Sequence, residues 1–543
     1  MGILLSKQIA INMKIYKKIS ILLSLLFGFH AIFAQVIPAN YAEILVDKKQ
    51  GDSYKVINLG KNGILTVLES AEYMKGNTEL IISKYDTLLN PIWQAKPLIK
   101  NDHRIKMYYR ENNFMYFLIQ KKLTEYDILE FDLANGNGRI FKLEDIIPLE
   151  VNEFKVFNQV IFLGGEVDNR PAVLWFDYLH AKTPKVLPQI NTLKADIRNI
   201  SYSLDGEIIS VLLTSNKSGK PSIYIQNYSL DGHLLSKVEI KPDKTYNLLS
   251  FRPYIQNQNE QLIFGTYGHK NSSFAQGFYV AKFENMEQKN IRFYDFSQLK
   301  NFFDYLPEKQ RNKLYEKIAQ KQNKGKTKVH DLNILLSELI EQDDKLLLFA
   351  DSYTTMTVQS SNYNARNIKP YTTTLPAISQ NWTPQMPTTQ NNLVYHYKNA
   401  ATIAFDKQGN LLWDNAFEYK DTENLILTSQ IAFNVVKDSI YGLKTQNQDF
   451  EYKVMSDVVK NLAIETTKID TMFSQAKANG EIEPQIIAWY ANYFLAYGSQ
   501  NLKTFDKETG TQRKEVFYLT KLYCRKKNER KKNESEKNEG EKK

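Results

Sequence analysis

The chain of 543 residues contains a single cysteine, Cys524. A lone thiol excludes an intrachain disulfide and a cysteine-built metal site. It also leaves no lipid-bearing cysteine at the predicted cleavage point described below. Histidine is sparse. The seven (His30, His103, His180, His233, His269, His330 and His396) include no two at metal-ligand spacing, and no EF-hand loop is present. The expectation is therefore no metal and no cofactor. Catalytic motifs are missing too. "GDSY" at Gly51–Tyr54 and the Asp-x-x-His spacing of Asp177–His180 use serine-hydrolase residue types, but the second falls inside a strand repeat. "GKT" at Gly325–Thr327 lacks the upstream glycine and strand of a phosphate loop. The body of the chain also lacks net charge. Residues 1–34 carry Lys7, Lys14, Lys17 and Lys18 and no acid, and residues 525–543 carry nine basic and five acidic side chains. Removing these two +4 contributions from the total of +10 leaves +2 for residues 35–524. A nearly neutral body argues against a nucleic-acid binder.

What is present begins with an export signal. "MKIYKKISILLSLLFGFHAIFAQ" opens at Met13 with three lysines, continues apolar from Ile19 to Phe33, and ends on Ala34-Gln35. A basic n-region, an apolar h-region and a small residue at the cut predict a signal peptide over residues 1–34, with residues 1–12 as an extension ahead of the true start. The apolar run is shorter than the ~20 residues of a membrane span. Residues 525–543, without an apolar side chain, predict a disordered charged tail, the only part expected to touch a membrane surface.

Between these ends one pattern recurs. "AFDKQGNLLWDNAF" at Ala404–Phe417 has an aromatic–Asp pair, a turn with Gly, then a strand with Trp413. "KYDTLLNPIW" has Tyr85-Asp86 and Trp93 at the same offset. Related turns follow Phe131, Phe176, Tyr228, Phe283 and Phe505. The steps from Tyr85 to Phe283 are 46, 45, 52 and 55 residues, then 122 to Phe405 and 100 to Phe505. The step of 100 reads as two units, with a degenerate copy near "YKVMSDVVKNLAIETTKID". The step of 122 reads as one unit plus an insertion. A further apolar strand precedes each turn: "NGILTVLES", "NFMYFLIQ", "NQVIFLGGEV", "GEIISVLLTS", "EQLIFGTYG", "DKLLLFADSY", "DSIYGLKTQ" and "NYFLAYGS". Four strands per 45–50 residues define a propeller blade, because one blade has two apolar faces that only its neighbours can cover. The prediction is an all-β propeller over residues 35–524 with about eight four-stranded blades, or seven if a terminal unit is irregular. Trp93 and Trp413 are expected in interblade packing. An outer-membrane barrel is disfavoured, since its strands would alternate at lipid length, whereas "KLLLFA" and "QVIFLGG" are continuously apolar.

These repeats resemble those of bacterial exported propellers of the quinoprotein-like, TolB-like and WD40-like kinds. The resemblance covers most of Ser53 to Cys524 and implies fold rather than ligand. A quinoprotein would bring a quinone held by Trp, Cys and metal ligands. The cysteine pair is absent, so no site residue carries over.

Two insertions interrupt the repeat. Residues 296–328 hold nine basic and three acidic side chains and, after Pro307, a run of helix formers. Lys309, Arg311, Lys313 and Lys317 would supply an anion-binding patch, the simpler account being a solvated helix whose lysines cover apolar surface. Residues 354–392 form a nearly uncharged loop rich in Thr, Asn, Gln and Pro. Tyr363, Tyr371 and Trp382, with Tyr353 just ahead, would either stack on a sugar or peptide or pin the loop to its blade. Strand order places both insertions on one face. The resulting expectation is an exported, monomeric, non-catalytic binding or scaffold propeller of the bacterial envelope, periplasmic, outer-membrane-associated or secreted, with a protein or glycan partner and no nucleic acid. The alternative is a glycan-acting enzyme of sialidase or lyase type with its site in the axial funnel.

Overall fold

The second strand of each repeat shows how the sequence makes the fold. In "KLLLFA", Leu346 and Leu348 pack with Phe264 and Val280 of the preceding unit, while Leu347 and Phe349 pack with Phe433 and Ile440 of the following one. Side chains alternate across a strand, so a strand sandwiched between two neighbours is apolar at every position. The computed structural model describes residues 36–46, 54–74, 76–143, 146–179, 183–203, 205–217, 220–242, 245–257, 259–270, 272–325, 328–357, 379–381, 393–446, 448–456, 464–468, 484–506 and 510–525. The predicted signal peptide and all but the first residue of the predicted tail lie outside them.

Strand β1 (Val36–Leu45) precedes the first blade. Blade 1 contains β2 (Lys55–Asn58), β3 (Ile64–Met74), β4 (Asn77–Tyr85) and an outer strand split into β5 (Pro91–Ala95) and β6 (Leu98–Lys100). Blade 2 contains β7 (Arg104–Glu111), β8 (Phe114–Lys122), β9 (Glu125–Asp132) and β10 (Gly138–Leu143). Blade 3 has β11 (Glu150–Phe157), β12 (Val160–Val167), β13 (Arg170–Asp177) and β14 (Lys185–Val186); blade 4 has β15 (Asp196–Tyr202), β16 (Ile208–Lys217), β17 (Lys220–Ser229) and β18 (Leu234–Ile240). Blade 5 has β19 (Tyr246–Ile255), β20 (Glu260–His269), β21 (Gly277–Glu284) and β22 (Glu287–Asp295). Helix α1 (Glu308–Gln322) precedes blade 6, which is built of β23 (Asn333–Gln342), β24 (Lys345–Thr357), β26 (Leu393–Asp406) and β27 (Leu411–Asn424). The short strand β25 (Ser379–Asn381) lies between β24 and β26 in sequence but belongs to another sheet. Blade 7 has β28 (Ala432–Val436), β29 (Ser439–Gln446), β30 (Asp449–Met455) and β31 (Glu465–Lys468). Blade 8 takes β32 (Gln485–Tyr490), β33 (Tyr493–Asp506) and β34 (Gly510–Cys524) from the end of the chain and β1 from its beginning, Val36 pairing with Cys524.

The protein is thus an all-β propeller of eight four-stranded blades, closed by an N-terminal strand. Each of the eight apolar strings picked out in the sequence is the second strand of its blade. The core is a ring of interblade layers. Leu65 and Ile82 of blade 1 meet Phe117 and Leu129 of blade 2, and Leu495 and Leu519 of blade 8 return to Ile64 of blade 1. Trp93 packs in the layer between blades 1 and 2 and Trp413 in that between blades 6 and 7.

The Asp–Gly turns have a shared chemistry. Asp86 Oδ1 accepts the Leu88 and Asn90 amides and its Oδ2 accepts Asn90 Nδ2; Asp406 does the same for Gln408 and Asn410. The fourth residue of each turn has positive φ, +66° at Leu89 and +79° at Gly409. The turn tip docks on the preceding blade. In the corresponding turn of blade 4, a Cβ on Gly232 (φ +85°) would stand 2.6 Å from the Trp175 indole of blade 3, so glycine serves both the backbone and the contact.

One part of the repeat reading is out of phase. Phe505-Asp506 ends β33, the second strand of blade 8, whereas the other aromatic–Asp pairs end third strands. The step of 100 residues is therefore not two blade units. Blade 8 borrows its fourth strand from β1, so the usual turn after the third strand has no counterpart there. The degenerate copy near Tyr452 does fall at the proper turn, between β30 and β31.

Candidate functional site

Antiparallel pairing within each blade sorts the connections into two sets. Loops between second and third strands, and loops from one blade to the next, emerge on one face. Loops from first to second and from third to fourth strands emerge on the other. Both insertions belong to the first set. Val36 and Cys524, paired at the opposite end of their strands, lie on the other face.

The first insertion is fixed to the ring before its helix begins. Asp295 caps a short 3-10 turn by accepting the Ser297 amide, and Phe296 stacks on Phe302 at 4.2 Å. Asp414 of β27 accepts the amides of Lys300 and Asn301, both at 2.7 Å, and Asn399 Nδ2 donates to the Phe302 carbonyl. Pro307, with φ of −52°, sits just ahead of the first helical residue, and Glu308 opens α1, where an acid suits the helix dipole. Leu314, Tyr315 and the buried Ile318 face the ring, with Tyr315 edge-on to Phe303. Lys309, Lys313 and Lys317, spaced by four, form one exposed stripe. Arg311 does not join them. Its guanidinium donates to Asp304 Oδ1 at 2.5 Å, in a half-buried ion pair that ties the helix to its own entry segment.

On the second insertion, Tyr353 is half-buried within β24, four residues before its end, edge-on to Tyr395 at 5.5 Å and tilted against Tyr397 at 6.2 Å. Burial, reinforced by Tyr395, pushes its phenol up to about 12. Tyr397 is buried and its hydroxyl donates to the Thr428 carbonyl at 2.7 Å. Tyr353 therefore packs against its own hairpin, and Tyr395 and Tyr397 are partners that the sequence reading passed over. Their signal was there: "YHY" puts two tyrosines on one side of a strand. Tyr363, Tyr371 and Trp382 lie outside the described residues. The same stretch supplies β25, which pairs antiparallel with β7 in the register Ser379–Tyr109, Gln380–Tyr108 and Asn381–Met107. Strand β7 is the innermost of blade 2, and its other edge is taken by β8. Its free edge faces the axis, so β25 lies in the axial channel. Blades 2 and 6 are four steps apart in a ring of eight, so an insertion of blade 6 reaches the blade directly opposite.

The inner strands of blades 3 to 5 add charged and polar groups. The inner strands of blades 2 to 5 each carry a bulge near their start, after Ile105, Val151, Ile197 and Leu248. Beyond it come Glu153 and Lys155 in blade 3, Asn199 and Ser201 in blade 4, and Ser250 and Arg252 in blade 5. Glu153 and Lys155 form an ion pair at 3.8 Å, and the Lys155 ammonium stands 5.6 Å from the Tyr109 ring. Burial raises the carboxyl and lowers the ammonium, each offset in part by the other's charge. Arg252 donates to three backbone carbonyls: Phe251, and Leu336 and Ser337 of the next blade. Among the described residues, no group of three or more His, Cys, Asp or Glu side chains is placed to hold a metal ion.

A second polar centre is sealed inside blade 6. Asp351, 1% exposed, accepts hydrogen bonds from Tyr419 and, at 3.3 Å, Ser337. Burial pushes its carboxyl up to about 6 despite these donors. Asp177, of the Asp-x-x-His spacing, accepts the Leu179 amide and so caps its own turn.

No protein-family model matches the chain, and no curated protein matches it by sequence. Solved structures similar to it include the polysaccharide lyase Uly1, at 7% identity over 90% of this chain and 100% of that one with a TM-score of 0.38. A eukaryotic initiation factor is similar at 10% identity, over 87% and 98% of the two chains, TM-score 0.36. Oligopeptidase B from Leishmania major is similar at 8% identity, over 86% of this chain and 54% of that one, TM-score 0.38. Likenesses this distant transfer no activity.

Proposed function

We propose that the protein is an exported, non-catalytic propeller of the bacterial envelope that binds a protein or glycan partner on the face bearing its two insertions. The observation that carries this reading is the pairing of β25 with β7. An enzyme of the sialidase or lyase type would gather its acids and arginines in an open axial funnel; here the chain's own strand β25 lies in the axial channel against β7. Two groups suited to such chemistry have structural partners, Glu153 in Lys155 and Arg252 in three carbonyls. Support for the face comes from strand order, which brings the Lys309, Lys313 and Lys317 stripe and the 354–392 segment out on the same side, opposite Val36 and Cys524.

The test is affinity capture from envelope fractions with the intact chain and with a variant whose residues 358–391 are replaced by a short Gly-Ser turn. The expected result is a partner recovered by the intact chain and lost by the variant. Recovery of the same partners by both would end the reading.

A further inference from the structure

We infer that the channel-facing edge of β7 is an acceptor site for an extended polypeptide strand, and that Ser379–Asn381 is the chain's own occupant of that site. The inference extends the binding reading to a second surface, distinct from the insertion face.

The first strand of every blade presents an open edge to the axis. Among the described residues, β7 is the inner strand whose edge carries an added strand. Sheet edges recognise backbone, which makes them receptive to any chain of compatible shape. The resident segment fits that description. Residues 377–383, "AISQNWT", are uncharged in sequence. The docking is minimal. Three residues pair, against the five or six of an ordinary strand. The bulge at Lys106 interrupts β7 on one side of the pairing, while Arg110 and Glu111 continue the strand on the other. A longer strand of the same register would therefore extend past Tyr109 toward Glu111. The partner that this edge fits is an extended, uncharged peptide segment with small or amide side chains, which enters by exchange with residues 379–381.

The probe is the peptide AISQNWT itself, fluorescently labelled and titrated into the full chain by anisotropy. Three proteins are compared: the intact chain, the 358–391 replacement, and the intact chain carrying Gln380→Pro, which removes one amide and restricts the backbone of the resident strand. Both altered chains should bind the peptide saturably. The intact chain should bind at least tenfold more weakly, because its tethered strand competes at an effective concentration of about millimolar. A peptide with proline in place of glutamine should not bind. Amide exchange supplies the second measurement. Protection of the channel-facing amides within residues 107–109 should fall on Gln380→Pro in the absence of peptide and return when peptide is added. Equal binding by all three proteins, or no binding to the altered chains while they still melt cooperatively, overturns the inference. So does unchanged protection on Gln380→Pro. If the replacement does not fold, the Gln380→Pro chain decides alone. The partner capture described above does not depend on this titration, so either can fail without the other.

Discussion

At the scale of single residues, the chemistry of this protein is mostly that of buried polar groups holding blades together. Asp351 is the sharpest case. Its folded pKa of about 6 stands above the ordinary value of 3.8, because burial outweighs its donors. Such a group contributes most to stability below pH 3.8, and that contribution is lost as pH rises through 6. The loss amounts to about 3 kcal/mol for a shift of this size. Asn at this position can keep accepting from Tyr419 without charging. In urea titrations at pH 4, 5.5 and 7, wild type should therefore lose about 2 kcal/mol of this relative to Asp351→Asn, the unfolded carboxyl being already partly ionised at pH 4; parallel pH curves would contradict the assignment. His330 runs the other way. Burial takes it down to about 4, so its contribution is present above 6.5 and lost as pH falls through 4. Comparing the two chains at each pH cancels that background. On α1, Arg311→Ala should cost about 1–3 kcal/mol by removing the guanidinium donor from the half-buried Asp304 carboxylate. Lys309→Ala, Lys313→Ala and Lys317→Ala together should change stability by less than about 1 kcal/mol. This contrast splits a set that looked uniform in sequence. The lysine stripe is readable from a spacing of four, whereas the partner of Arg311 exists only once the entry segment has folded back.

At the scale of elements, legibility followed burial. The second strands read clearly because both of their faces are covered, and that demands an unbroken apolar run. The turns read clearly because Asp and Gly at fixed offsets perform a local task that needs no tertiary context. Two elements could not be read this way. Strand β1, "VIPANYAEIL", has a proline and mixed polarity, and its partner lies at the far end of the chain. Its absence from the pattern also put Phe505 out of phase. Strand β25 consists of Ser, Gln and Asn, residues that favour loops. Its strand character comes wholly from the edge it meets. The role of β1 is open to a direct check. Removing residues 36–45 strips β34 of its outer partner and takes Val36, fully buried between blades 7 and 8, out of the core. The thermal midpoint should fall by about 10 °C or more; a midpoint within about 2 °C of wild type would show that β1 does not close the ring.

At the scale of the whole molecule, the ring is polarised. Val36 and Cys524 lie together on one face, the two insertions emerge on the other, and the axial channel between them holds β25, which the insertion of blade 6 adds to the sheet of blade 2. The sequence reading reached the blade count and the shared face, because both follow from strand order. It left the state of the axis open, since nothing in "SQN" announces a span from blade 6 to blade 2. The proposed binding role rests on the pairing of β25 with β7, and photo-crosslinking reads that pairing most simply. With p-benzoylphenylalanine at position 380 of the full chain, irradiation followed by peptide mapping should join the probe to residues 104–111 of blade 2. Crosslinks confined to blade 6 and its neighbours, blades 5 and 7, would mean that the insertion stays on its own side and the axis is open.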